Sequence, residues 1–126
     1  IDRKNARSAL RSLRELAALV ARHSLSVFIW PEGTRSYDGH LRAFKRGAFQ
    51  LALETKLPIV PVVIAGSHRA WPRGTARLVA ANVDVTCLPP IDTRRWTSET
   101  LREHVREIEA LFAATLPADQ KPLETG

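Results

Sequence analysis

Methionine is absent from these 126 residues, and cysteine occurs once, at Cys87. A single thiol excludes an intrachain disulfide, and a lone cysteine in an apolar stretch is expected as a small core residue. The histidines, His23, His40, His68 and His104, do not combine with it at zinc-ligand spacing, so no metal site is expected. No apolar run approaches the ~18 residues that span a bilayer, and no secretory leader pattern is present. An anchor, if the protein has one, is expected outside this stretch. A chain that lacks methionine and begins Ile1-Asp2-Arg3 is expected to be the C-terminal portion of a longer protein. Acidic charge is also in short supply, with 13 Asp and Glu against 19 Lys and Arg, a net charge of +6. Such a surface favours anionic partners such as a phospholipid surface, coenzyme A phosphates or an acidic carrier protein. Nucleic acid is not expected, because no recognition motif and no basic stripe with interleaved aromatics accompanies the charge.

What the chain does have is a polar, glycine-bearing turn, Trp30-Pro31-Glu32-Gly33-Thr34-Arg35-Ser36, which leaves an apolar run and leads towards a basic segment. The run Leu25-Ser26-Val27-Phe28-Ile29-Trp30 reads as a buried strand, ended by Pro31, which has no N–H for a ladder. Gly33 accepts backbone angles closed to other residues and lets an oxyanion approach the main chain. Thr34 and Ser36 add hydroxyls, and Arg35 adds a planar fork of N–H donors matched to phosphate. Glu32 would repel a phosphate, so it has other work: holding Arg35, holding a backbone N–H, or accepting a hydrogen bond from a substrate hydroxyl. On residue chemistry alone, a phosphate seat and a plain tight turn both remain open.

The stretch Phe28 to Ser36 resembles the Phe-Pro-Glu-Gly-Thr-Arg-Ser signature of the glycerolipid acyltransferases, the family of the 1-acylglycerol-3-phosphate acyltransferases. The resemblance continues, in order and spacing, through Phe44-Lys45-Arg46-Gly47-Ala48 and Leu57-Pro58-Ile59-Val60-Pro61-Val62. Arg3 matches the arginine that ends the family's second block. The resemblance implies transfer of a fatty acyl group from acyl-CoA or acyl carrier protein to the free hydroxyl of a lysophospholipid acceptor, at a membrane surface on its cytoplasmic face, without a cofactor. It assigns substrate binding to Arg3, Glu32, Gly33, Thr34, Arg35 and Lys45, with a weaker role at the acceptor site for Ile59, Val60 and Pro61. The family's catalytic base is the histidine of a His-x-x-x-x-Asp block upstream of Arg3, and no catalytic residue is expected within this chain. Five residues after the histidines stand Phe28, Lys45, Arg73 and Glu109, none an aspartate. These residues alone are therefore expected to be inactive. The other class left open is a non-catalytic phosphate- or anionic-lipid-binding module.

Along the chain, Ala6, Leu10, Leu13, Ala17 and Val20 form a helical stripe, with Arg7, Arg11 and Arg14 on another face. A second helix is expected from about Gly47 to Lys56, with Lys45 and Arg46 at an N-terminus that favours anions. Ile59 to Ala65 reads as a central strand with an irregularity at Pro61. Trp71 to Gly74 is a turn, with Trp71 as an apolar lid or packing residue. In Leu78 to Leu88 the positions Val79, Ala81, Val83, Val85 and Cys87 alternate as a half-buried strand. Thr97 or Ser98 is expected to cap a last helix with its stripe at Leu101, Val105, Ile108, Phe112 and Leu116. The expected fold is α/β, a layered, partly parallel sheet flanked by helices and an incomplete domain, over residues 1–116, followed by a loose tail at 117–126.

Overall fold

The computed structural model describes residues 3–123, and side chains from residue 11 onward. The first helix, α1, runs Arg3–His23. Its described apolar positions turn inward where the stripe demands, and Val20 is buried. Ser24, at φ +50°, ends it, with the Leu25 N–H reaching back 3.2 Å to the carbonyl of Val20, so the last carbonyls are not left orphaned. The second helix, α2, spans Gly47–Thr55 and packs against α1. Lys56, also left-handed, closes it by donating its N–H to Ala52 O, and its ammonium caps the carbonyl of Trp96 at 2.7 Å.

After α2 come strand β1, Val62–Ala65, the one-turn helix α3, Ser67–Ala70, strand β2, Asp84–Cys87, and helix α4, Leu101–Thr115. The strands β1 and β2 pair antiparallel, Val62 opposite Cys87 and Ala65 opposite Asp84. An isolated bridge, Ile59 to Ile91, extends the pairing. Between bridge and ladder lie two residues, Val60 and Pro61, on one side and three, Leu88, Pro89 and Pro90, on the other. The extra residue is a bulge at the irregularity expected for Pro61, which keeps only its carbonyl in use, accepting the Leu88 N–H at 2.9 Å.

The core lies between α2 and α4. Phe44, Phe49, Leu53, Trp96, Leu101, Val105 and Ile108 are buried together, and Phe44 stacks on Phe49 and meets Phe112 edge-on. Thr93 is fully buried, its hydroxyl satisfied by the carbonyl of Leu57 at 2.8 Å. The expected α4 stripe is thus present, although Thr97 and Ser98 do not cap it. They sit in a preceding turn, where Thr97 and Thr100 exchange hydroxyl and amide contacts, and the α-helix proper follows Thr100.

Three expectations are corrected. Leu25 to Trp30 forms no regular element and joins no ladder among the described residues, and it is exposed along its length, Phe28 to 58% and Trp30 to 66%. An apolar, β-branched run sets a preference for strand, but burial requires a neighbour on the sheet. The second strand is only four residues long and exposed throughout, so Val83, Val85 and Cys87 do not face a core, and Cys87 is a surface thiol. The described sheet is accordingly an antiparallel pair. Finally, Pro117 onward is not loose as far as Leu123. Ala118–Gln120 forms a 3-10 turn, and Gln120 is buried, its amide oxygen accepting the Gly66 N–H at 2.7 Å while its carbonyl accepts that of Leu41 at 2.9 Å. Gly66, at φ +84°, has no room for a Cβ, which would stand 2.4 Å from the backbone oxygen of Asn82. No described helix is long and apolar enough to cross a membrane.

Candidate functional site

The turn that follows the exposed run is tight. Gly33 donates its N–H to the carbonyl of Trp30 at 3.0 Å and takes φ +70°, so its amide is spent inside the turn. What Gly33 provides is clearance. A Cβ there would sit 2.8 Å from the Nζ and the Cδ of Lys45 and 2.9 Å from its Cε. The lysine stem therefore lies flat across the glycine, and its backbone is pinned beside it, Lys45 N–H to Pro31 O at 2.8 Å. The signature loop and the start of α2 are in this way one unit, with an ammonium laid over the turn.

Glu32 is the fastener on the other side. Its carboxylate accepts the backbone N–H of Arg42 at 2.9 Å, the second of the three tasks open to it in the sequence. Partial burial pushes its pKa up from 4.5, opposed by that hydrogen bond and by the Arg42 charge. The loop downstream is fixed in the same style, since Glu109 on α4 accepts the N–H of Phe44 at 2.6 Å. Five residues apart on α4, Glu109 and His104 lie on different faces of the helix and do not meet. The histidine instead lies parallel to Trp96 with ring centres 4.6 Å apart and contacts Glu107 at 3.0 Å.

Arg35 takes a different direction from Lys45. It is exposed, and its guanidinium carbon lies 4.8 Å from the ring centre of Trp71. Arg73 donates to the Arg35 carbonyl and lies 3.9 Å over the ring of Tyr37. Thr34 is exposed beside Gly33. Ile59 and Pro61 sit at the bridge and bulge, and Val60 is exposed between them. Arg3 is the first residue of α1, and its side chain lies outside the described residues. Of the expected site residues, the fold thus brings Gly33 and Lys45 into contact, fastens Glu32 to Arg42, and directs Arg35 to Trp71. The contributions of Arg42, Trp71, Arg73 and Glu109 were not legible from residue chemistry. Two of them act through or on a backbone amide, which no side-chain pattern encodes, and the Trp71–Gly74 turn is remote from Arg35 in sequence.

Beside this loop a shallow cleft of about 440 Å³ opens between Tyr37, His40, Arg42 and Leu123. The loop as a whole offers cations and hydroxyls on a hydrogen-bonded turn, donor types that suit a phosphate monoester.

The model of the Acyltransferase family matches residues 1–65. The 1-acyl-sn-glycerol-3-phosphate acyltransferase of Limnanthes alba is 43% identical over 123 residues, covering 98% of this chain and 44% of that protein. The enzyme of the same name from Cocos nucifera is 44% identical, with 98% and 40% covered. The chain therefore spans less than half the length of these relatives. Among solved structures, the 1-acyl-sn-glycerophosphate (LPA) acyltransferase of Thermotoga maritima superimposes with a TM-score of 0.69 at 31% identity, covering 79% of this chain and 43% of that one. With the signature turn, the Lys45 contact and a family match across the first 65 residues, the chain belongs to the acyltransferase family.

Proposed function

We propose that this chain is the part of a 1-acylglycerol-3-phosphate O-acyltransferase that seats the phosphate of the acyl acceptor. The observation that carries the reading is the Lys45 side chain laid across Gly33, within a turn that also presents Thr34 and Arg35. The names of the relatives support lysophosphatidate as the acceptor. In the reaction, the acceptor hydroxyl attacks the carbonyl carbon of an acyl thioester, an ester C–O bond forms, the C–S bond breaks, and the thiol leaves. The proton of the attacking hydroxyl goes to a base, which this reading assigns to the histidine of the family's His-x-x-x-x-Asp block, outside these residues.

The chain's own contribution is positioning. Lys45 and Arg35, with Arg3, hold the phosphate, and Glu32 and Thr34 orient the glycerol. Holding the headgroup makes the encounter of hydroxyl and thioester local, which is a large source of rate. In the complete domain, Leu25 to Trp30 would add to the sheet as a parallel strand and the exposed faces would be covered. The reading needs no cofactor, uses acyl-CoA or acyl carrier protein as donor, and works at a membrane surface on the cytoplasmic face.

The test is acyl transfer by the full-length protein, supplied with lysophosphatidate and either donor. Phosphatidate formation is expected, and none from the 126 residues alone. Tight binding of lysophosphatidate by the full-length protein without turnover on either donor would overturn the reading in favour of a non-catalytic lipid-phosphate module.

A further inference from the structure

Arg35, within the signature turn, and Arg73, bonded to its carbonyl, each lie over an aromatic ring. Among the described residues the ion pairs are Arg11 with Glu15, Arg69 with Asp119, Arg94 with Asp92 and His104 with Glu107. Arg35 and Arg73 belong to none of them. Arg35 lies on Trp71, and Arg73 lies on Tyr37. The distinction is chemical. A carboxylate partner would occupy the in-plane N–H donors of a guanidinium and cancel its charge, whereas a ring beneath its face fixes its position and leaves both donors and charge available to a ligand.

The ring under Arg35 is itself anchored at two points. The Trp71 backbone N–H donates to Ser67 O at 3.0 Å, and its indole N–H donates to Thr75 O, also at 3.0 Å. Pro72 then links this platform to Arg73, which bonds the Arg35 carbonyl and covers the ring two residues further on. One residue of the Trp71–Gly74 turn thus holds the Arg35 side chain, and another holds its backbone. We infer that Trp71 and Arg73 are positioning residues that set the pose of Arg35 and so determine the affinity for the doubly charged phosphate of the acceptor. The inference rests on the acceptor reading given under the proposed function.

The experiment is steady-state kinetics of the full-length protein with lysophosphatidate and acyl-CoA. Trp71→Ala is expected to raise the KM for lysophosphatidate about five-fold or more while the KM for the donor stays within about two-fold, and Trp71→Phe, which keeps a ring, to restore most of the loss. Tyr37→Leu, at an exposed position that leaves the core untouched, is expected to give a smaller rise of about three-fold in the acceptor constant, with the donor constant unchanged. These three results together support the inference. Equal movement of both Michaelis constants, no movement in either, or failure of Trp71→Phe to restore the acceptor constant overturns it. A wild-type protein that forms no phosphatidate removes the acceptor reading itself, and the inference with it.

Discussion

The two halves of this chain hold similar apolar side chains and do opposite things with them. Between α2 and α4, Phe49, Trp96 and Ile108 are almost wholly removed from solvent, while Phe28, Trp30 and Val85 stand largely in it. Phe28 and Trp30 even pack edge-on against each other, 4.8 Å apart, without a covering layer. The difference is one of partners. A helix satisfies its own backbone and needs only one apolar stripe covered, whereas a strand needs a second strand for its hydrogen bonds and a layer for each face. The helices α2 and α4 therefore cover each other's apolar stripes, while the run Leu25 to Trp30 and strand β2 leave their apolar side chains in solvent.

That contrast is open to a direct attack. In the isolated chain, Phe49→Ala is expected to cost about 3–5 kcal/mol of stability by urea unfolding, whereas Phe28→Ala is expected to stay within about 0.5 kcal/mol. Comparable losses at both positions would mean that the exposed run is packed after all.

The seam between the halves should give an intermediate effect. Gln120→Ala leaves the buried N–H of Gly66 without its partner, and about 1–3 kcal/mol is expected. Faster amide exchange at Gly66 is the accompanying sign, and unchanged exchange would detach the segment after Pro117 from the fold.

The smallest effect sharpens the comparison at the site itself. Burial holds the Glu32 pKa above 4.5, so protonation is favoured by folding. Its contribution to stability is fully present below 4.5 and is lost as pH rises through the higher folded value. Glu32→Gln retains an oxygen for the Arg42 N–H and removes the charge. The variant is expected to match the wild type near pH 4 and to equal or slightly exceed it near pH 7, by urea midpoint. A variant less stable only at neutral pH would contradict the sign.

The legible part of the fold was the part whose signals are local. The four- and three-residue spacing of Leu13, Ala17 and Val20, and that of Leu101, Val105 and Ile108, places both long helices, because periodicity reports which face is covered whatever covers it. The same logic misled for Val83, Val85 and Cys87. Their alternation sorts two faces correctly in a strand, but nothing in it says whether a layer lies against either one. Gln120 was invisible for another reason, since a single glutamine reaching a glycine amide over 54 positions leaves no pattern.

At the site, the signature turn was readable from residue types, and its workings were only partly so. Gly33 is required for its backbone angle, as expected, yet its amide closes the turn, and the close approach it permits is that of Lys45. Lys45 and Arg35, alike in charge, are held by different means, one by a glycine and one by an indole ring. That division depends on the Trp71 turn arriving from elsewhere in the chain, which side-chain chemistry near Arg35 does not announce.

The most direct measurement of the central claim is the pair of Michaelis constants of the full-length protein carrying Arg35→Ala. A phosphate seat predicts that the constant for lysophosphatidate rises roughly ten-fold or more while that for the acyl donor is nearly unchanged. Equal changes in both constants, or none in either, would contradict it.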